Sequence, residues 1–380
     1  MPLIDRITRQ GKKKLLSIDG GGIRGVLALE ILLKLENLLR PDIDGDSFRL
    51  SHYFDYIAGT STGGIIAAGL SMGLSVRDIQ SFYENCGAQM FVRSNVLDRL
   101  KYKFDSEPLA VKLKEVFGSE TTLGSDKLQS LLLLVMRNAT TDSPWPLSNN
   151  PFGYYNNPDR SDDNGKLPLW QLVRASTAAP TYFPPEVIII PGISDTDRHF
   201  IFVDGGVTMY NNPTFQMFLM ATVDRYWSRN PEARWRTGAD QMLIVSVGTG
   251  TCPDVRSGLN PNDMNLLFNA TTIPSALMFA ASNEQDLLCR IFGECRAGQT
   301  IDREIGNLVD SVGPLPKENK LFAYVRYNAE LTRAGLDALG LENVRPETVQ
   351  RMDAIDGIPE LHAVGKKAAE RVKKEHFIGF

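Results

Sequence analysis

An α/β fold is what this sequence predicts, on three observations. Short apolar, β-rich runs alternate with amphipathic helical stretches along most of the chain. The first such run, beginning at Leu15, hands over to a glycine-rich turn and then to a helix. A second ends in Gly59-Thr60-Ser61-Thr62-Gly63 and is followed by a helix of small residues. With 380 residues, 43% hydrophobic and 23% charged, the chain has the material for a buried core in one large or two ordinary domains.

In order, Leu15–Asp19 is the opening strand. Val26–Leu39 (VLALEILLKLENLL) carries an apolar residue on nearly every turn, as a helix packed on a sheet does. Tyr53–Gly59 is the second strand and Gly63–Met72 the helix after it. Leu131–Ala139, Phe200–Asp204 and Leu243–Gly248 are further strands, with Phe322–Asn328 a weaker match to the pattern. Asn149–Gly165 is dense in Asn, Asp, Pro and Gly, the composition of a loop. Past Asp254 the strand signal fades. Asn265–Ala281 and Asp286–Phe292 read as helices whose apolar faces pack on the core or line a lipid channel. Gly357–Phe377 turns basic and reads as a solvated amphipathic helix, with contact at a membrane surface as the alternative.

Composition excludes several classes of function. A formal net charge of −4 provides no basic footprint for a nucleic-acid polymer. No stretch approaches the ~18 uninterrupted apolar residues of a membrane span. The N-terminal MPLIDRITRQGKKK places charges where a secretory signal needs its apolar region, so a cytoplasmic protein is expected. Cys86, Cys252, Cys289 and Cys295 form no C-x-x-C pair, and with His52, His199, His362 and His376 they make no zinc spacing. Reduced thiols and no metal are expected.

The chemistry lies in three glycine-flanked segments. Gly59–Gly63 is a G-x-S-x-G pentapeptide between a strand and a helix, the pattern of a nucleophile elbow. Its serine must sit on a tight turn that lifts Oγ into the open, and the next helix turns its N–H groups toward developing negative charge. A serine needs a base, yet no histidine stands in a Gly-flanked turn. Asp204 does, at the end of an apolar run and before Gly205 and Gly206. The opening loop SIDGGGIRG also fits G-x-G-x-x-G through Gly20, Gly22 and Gly25. A dinucleotide site would need an acid about 20 residues on, at the end of a second strand. Asp42 and Asp44 have the distance but follow Pro41 in a polar loop, so that reading is set aside.

Asp19–Gly25 (DGGGIRG), Gly59–Gly63, Asp204–Gly206 and Ala175–Pro185 (ASTAAPTYFPP) together resemble the signature of the patatin-like phospholipases, over roughly residues 12 to 250. The resemblance implies a three-layer α/β/α fold with a central, mostly parallel sheet. It places a catalytic domain at 12–253 and a mainly helical extension, packed on it, at 254–380. It implies a Ser61–Asp204 dyad that forms an acyl-enzyme from the carboxylic ester of a membrane glycerolipid. The oxyanion would lie against Gly20, Gly21, Gly22, Arg24 and Thr62. Gly59, Gly63, Gly205 and Gly206 would shape the elbow and the aspartate turn. Arg24 would steady the loop or meet a phospholipid head group, and Asp19 would fix the loop by accepting backbone hydrogen bonds. No cofactor or calcium is implied, and the membrane's inner surface would be met peripherally. Similar bacterial proteins with helical C-terminal extensions act in anti-phage signalling, so a phospholipase gated by a cyclic nucleotide is the alternative. Acyl transfer and thioester hydrolysis use the same pair of residues. The oligomeric state stays open.

Overall fold

A computed structural model describes residues 2–380 except 42–46, 91–101, 191–197, 254–258, 261 and 263. Asp42, Asp44 and the expected boundary residue Asp254 lie outside the described residues. Among the described residues nine strands form one sheet: β1 (Lys13–Ile18), β2 (Tyr56–Thr60), β3 (Leu131–Asn138), β4 (Ser143–Ser148), β5 (Glu186–Ile190), β6 (Arg198–Asp204), β7 (Met242–Val247), β8 (Glu294–Ala297) and β9 (Ala323–Tyr327). Their order is β5-β6-β3-β2-β1-β7-β9-β8, with β4 paired to β3. From β3 through β8 every neighbour is parallel, while β4, β5 and β6 join antiparallel.

The first helices are α1 (Leu3–Thr8), α2 (Gly25–Leu39), α3 (Leu50–Tyr53), α4 (Thr62–Ser71), α5 (Val76–Met90) and α6 (Glu107–Phe117). They are followed by α7 (Leu169–Ser176), α8 (Thr214–Thr222), α9 (Leu266–Phe292), α10 (Arg333–Ala338), α11 (Pro346–Gln350) and α12 (Ile358–Ala369). Strand side chains alternate between two cores, as a period of two requires. Leu16, Ile18 and Ile57 join the core under α2, α4 and α7, whereas Leu15, Tyr56 and Ala58 join the core under α8. The result is a mostly parallel sheet between two helical layers. No helix among the described residues is long and apolar enough to cross a membrane.

Each expected strand is present within a few residues of its bounds; the second starts later, because Tyr53 closes the short helix α3. The pattern misses three strands for separate reasons. β4 carries Pro144 and Pro146, tolerated because it lies on the free side of β3. β5 follows two prolines, and β8 has only four residues with no alternation. The sheet also continues past residue 253: β9 pairs with β7 and β8 with β9. The two helices expected at 265–281 and 286–292 are one continuous helix, α9, and none of its described side chains before Gln285 is buried. The basic tail is not a solvated helix either. α12 buries Leu361, Val364 and Ala368 against α2, where an added Cβ at Gly365 would stand 2.8 Å from Leu27 O.

Candidate active site

The register of β3 explains how residues 143 positions apart meet. Met136 pairs with Trp145 of β4 on one edge and with Asp204 of β6 on the other. β2 shares that second edge and ends with Thr60 opposite Val135. β2 and β6 therefore run head to head along one side of β3, and their last residues face consecutive positions. Ser61 follows one end and Asp204 closes the other. Ser61 Oγ donates to Asp204 Oδ2 at 2.5 Å.

Ser61 has φ 56° and ψ −123°, a left-handed conformation costly for a residue with a side chain. The turn is held by close packing. An added Cβ at Gly59 would lie 2.0 Å from Gly63 O, and one at Gly63 would lie 2.3 Å from Ile18 O. Neither contact leaves room for anything but glycine. The Ser61 N–H donates to Ser176 Oγ at 2.9 Å, and that hydroxyl donates to Val135 O at 2.6 Å. Ala178 O accepts from the Asp204 N–H at 3.0 Å. The segment at Ala175–Pro185 thus anchors both members of the pair, a role its sequence did not reveal.

Asp204 is 4% exposed, and burial pushes its carboxyl up to about 6. Hydrogen bonds from Ser61 and from the Gly206 N–H (2.6 Å, to Oδ1) and the charge of Arg174 pull the other way. Such a group is ionised at neutral pH yet basic enough to take a proton. Arg174 is itself 1% exposed. Its NH2 donates to Pro184 O at 3.0 Å, while Nε and NH1 have no hydrogen-bond partner among the described residues.

The glycine loop lies beside the elbow because β1 and β2 are neighbours, at the carboxyl end of the parallel strands where such sheets place their ligands. Its N–H groups are not equivalent. Gly20 N–H donates to Asn211 O at 3.0 Å, so it is committed and the expectation that it faces an oxyanion is corrected. Gly21 and Gly22 donate to nothing among the described residues, nor does the Thr62 N–H at the start of α4. Arg24 turns back on the loop: Nε donates to Gly21 O at 3.3 Å and NH1 to Cys252 Sγ at 2.9 Å. The Thr62 hydroxyl meets the hydroxyl of Tyr83. Gly205 packs on Val135, where a Cβ would stand 2.3 Å from its carbonyl oxygen.

Asp19 does not cap the loop backbone as expected. It pairs bidentately with Arg326 of β9, at 2.9 Å and 2.6 Å. Burial pushes the Asp19 carboxyl up and Arg326 pulls it down; the two-pronged geometry marks it as the ionised partner. Arg326 also donates to Ser246 Oγ at 2.6 Å, and Asp286, which holds Arg290 and the Tyr324 hydroxyl, lies 4.0 Å from it. Met352 O accepts the Ile23 N–H at 2.9 Å, so the last third of the chain touches the loop directly. No histidine approaches Ser61. His362 bridges Glu30 and Glu84, His376 meets the Tyr327 hydroxyl, His52 accepts from Arg49 N, and His199 is exposed on β6. Among the described residues no group of side chains has the makings of a metal site.

A buried Ser–Asp pair thus sits on a strand-to-helix elbow, beside a loop with open N–H groups. The chain belongs to the patatin-like phospholipase family: the family model described as Patatin-like phospholipase matches residues 16–218, just over half of it. It is 32% identical over 251 residues to a cGAMP-activated phospholipase of Vibrio cholerae, covering 62% of this chain and 64% of that one. An intracellular phospholipase A2 of Caenorhabditis elegans is 32% identical over 251 residues, covering 65% of this chain and 20% of that one. Patatin-17 of Solanum cardiophyllum is 32% identical over 245 residues, covering 62% of this chain and 60% of that one. The matches thus span less than two thirds of each relative's length.

Proposed function

We propose that the protein is a lipid acyl hydrolase that cleaves carboxylic esters of membrane glycerolipids through Ser61 and Asp204. The observation that carries this reading is the 2.5 Å hydrogen bond from Ser61 Oγ to Asp204 Oδ2 at a strained elbow. Ser61 Oγ attacks the ester carbonyl while Asp204 takes its proton. The carbonyl oxygen becomes an oxyanion facing the N–H groups of Gly21, Gly22 and Thr62, each such donor being worth about 3–4 kcal/mol. The proton passes to the departing lysolipid oxygen as the acyl-enzyme forms. Water then enters and loses a proton to Asp204 as it attacks the acyl carbon; the fatty acid departs as that proton returns to Ser61 Oγ. Asp19 and Arg326 hold the loop in place rather than touching substrate. The test is mass spectrometry of phospholipid vesicles incubated with wild type and with Ser61→Ala. Free fatty acid and lysolipid in the first and neither in the second are expected; equal release by both removes the reading.

A second reading, a phospholipase gated by a cyclic nucleotide, is favoured by relatives in Vibrio cholerae and Escherichia coli named cGAMP-activated phospholipases. The Ile23–Met352 contact gives it a route, since displacing residue 352 would move the loop that carries the oxyanion donors. Adding cyclic GMP–AMP to the vesicle assay separates the two readings. Strong activation supports gating, and full activity without it supports a constitutive hydrolase.

A further inference from the structure

Two separate pieces of backbone offer N–H groups at the site. Gly21 and Gly22 do so from the loop before α2, and Thr62 does so from the first turn of α4. Donors on different elements converge on one oxygen only if their spacing holds to within about half an ångström. One side chain stands at their junction. The Tyr83 hydroxyl meets the Thr62 hydroxyl and donates to Thr62 O at 3.2 Å. At Gly25, the first residue of α2, an added Cβ would lie 2.5 Å from Thr62 Oγ1 and 3.4 Å from the Tyr83 hydroxyl oxygen. The start of α2, the start of α4 and the tip of Tyr83 are therefore in mutual contact.

Tyr83 is buried on α5, and two buried glutamates of α2 fix how α5 lies. Glu36 accepts from the Val76 N–H at 3.2 Å, and Glu30 accepts from Gln80 Nε2 at 3.2 Å. These bonds tie α5 to α2 two turns and one turn before Tyr83, so the ring is held against the start of α4. A phenylalanine would fill the same space; the hydroxyl is what reaches Thr62. With its proton on Thr62 O, the Tyr83 oxygen can accept the Thr62 hydroxyl proton, which satisfies both buried groups. Burial pushes the Tyr83 phenol up, which keeps it a neutral donor.

We infer that Tyr83 is a positioning residue: its hydroxyl fixes the Thr62 N–H relative to Gly21 and Gly22, so that all three donors meet one oxyanion. It acts through Thr62 rather than on the substrate. The inference rests on the hydrolase reading and adds to it a residue outside the three glycine-flanked segments. With the link cut, the ester is bound as before, but the oxyanion loses alignment with one donor.

The test is steady-state hydrolysis of a soluble short-chain ester by wild type, Tyr83→Phe, Thr62→Val and the double variant. Each change keeps the shape of the side chain it replaces, and urea unfolding checks that each protein is folded. Tyr83→Phe should lower kcat roughly ten- to a hundredfold with KM held within about twofold, as a small misplacement at the reacting centre does. Thr62→Val should fall by a similar factor, and the double variant no further than the slower single one, because both cut the same link. A trifluoromethyl ketone adds Ser61 Oγ at its carbonyl carbon, the proton going to Asp204, and leaves the same oxyanion. Its affinity should fall in Tyr83→Phe by the factor lost in kcat/KM. The rise of kcat/KM with pH through about 6 should stay in place, because Asp204 is untouched. A kcat kept by Tyr83→Phe, a loss carried by KM, additive losses in the double variant, or unchanged ketone affinity would overturn the inference. If Tyr83→Phe does not fold, Thr62→Val decides by the same kcat, KM and ketone readouts. A wild type that cleaves no ester overturns the hydrolase reading and this inference together, whereas a cleaving wild type matched by Tyr83→Phe overturns this inference alone.

Discussion

Replacing Asp204 by Asn should make the protein more stable while destroying its activity. The carboxyl is pushed from an ordinary 3.8 up to about 6 by burial. Between those values the folded chain keeps a proton that the unfolded chain has lost. Above about pH 6 the folded chain carries the full cost of a buried, ionised carboxylate. A shift of roughly two units at 1.36 kcal/mol each gives a cost of about 3 kcal/mol at pH 8. That cost disappears as pH falls through 6 toward 3.8. Asn is isosteric and uncharged, and its carbonyl can still accept from the Gly206 N–H. Asp204→Asn should therefore exceed wild type by about 3 kcal/mol at pH 8, with the gain gone near pH 4. Urea unfolding at a series of pH values reads the difference, and a soluble ester assay on the same samples reads the lost turnover. An Asn variant no more stable than wild type at pH 8, or a gain independent of pH, would show that burial does not raise Asp204.

Other expectations follow from the same contacts. For wild type, kcat/KM on a soluble ester should rise with pH through about 6 as Asp204 loses its proton. His52→Ala, His199→Ala, His362→Ala and His376→Ala should each retain that limb when folded; a folded variant that loses it would install a histidine as base. Arg174→Met removes the nearby positive charge and should move the limb to higher pH, which a pH–rate profile detects. Ser176→Ala takes the hydroxyl from between Ser61 N–H and Val135 O, and should cost about 1–3 kcal/mol in urea unfolding, with kcat falling more than KM rises. Arg326→Met leaves Asp19 buried and unpaired at a cost of about 3–5 kcal/mol, part of which a second change, Asp19→Asn, should restore.

Much of the site was legible because its residues are local signals. Gly59 and Gly63 mark the elbow because no larger residue fits between β2, β1 and α4, and Gly205 marks the aspartate turn for the same reason. The strand pattern likewise located the two β-strands whose ends bring Ser61 and Asp204 together. What escaped depends on pairing across the chain. Asp19 and Arg326 stand 307 residues apart, and no local pattern announces that an arginine on β9 will lock the glycine loop. Gly20 looks equivalent to Gly21 and Gly22 in sequence, and only its hydrogen bond to Asn211 O sets it apart. The stretch Phe268–Asn283 also escaped: an apolar helical stripe reads the same in sequence whether or not a core covers it, and none of its described side chains is buried.

The most direct measurement is acid quenching of the protein during turnover of a long-chain phospholipid, followed by peptide mass spectrometry. A fatty acyl group should appear on the peptide containing Ser61 and be absent from Ser61→Ala. Turnover with no acyl group on Ser61, or with the acyl group on another residue, would contradict Ser61 as the nucleophile that Asp204 serves.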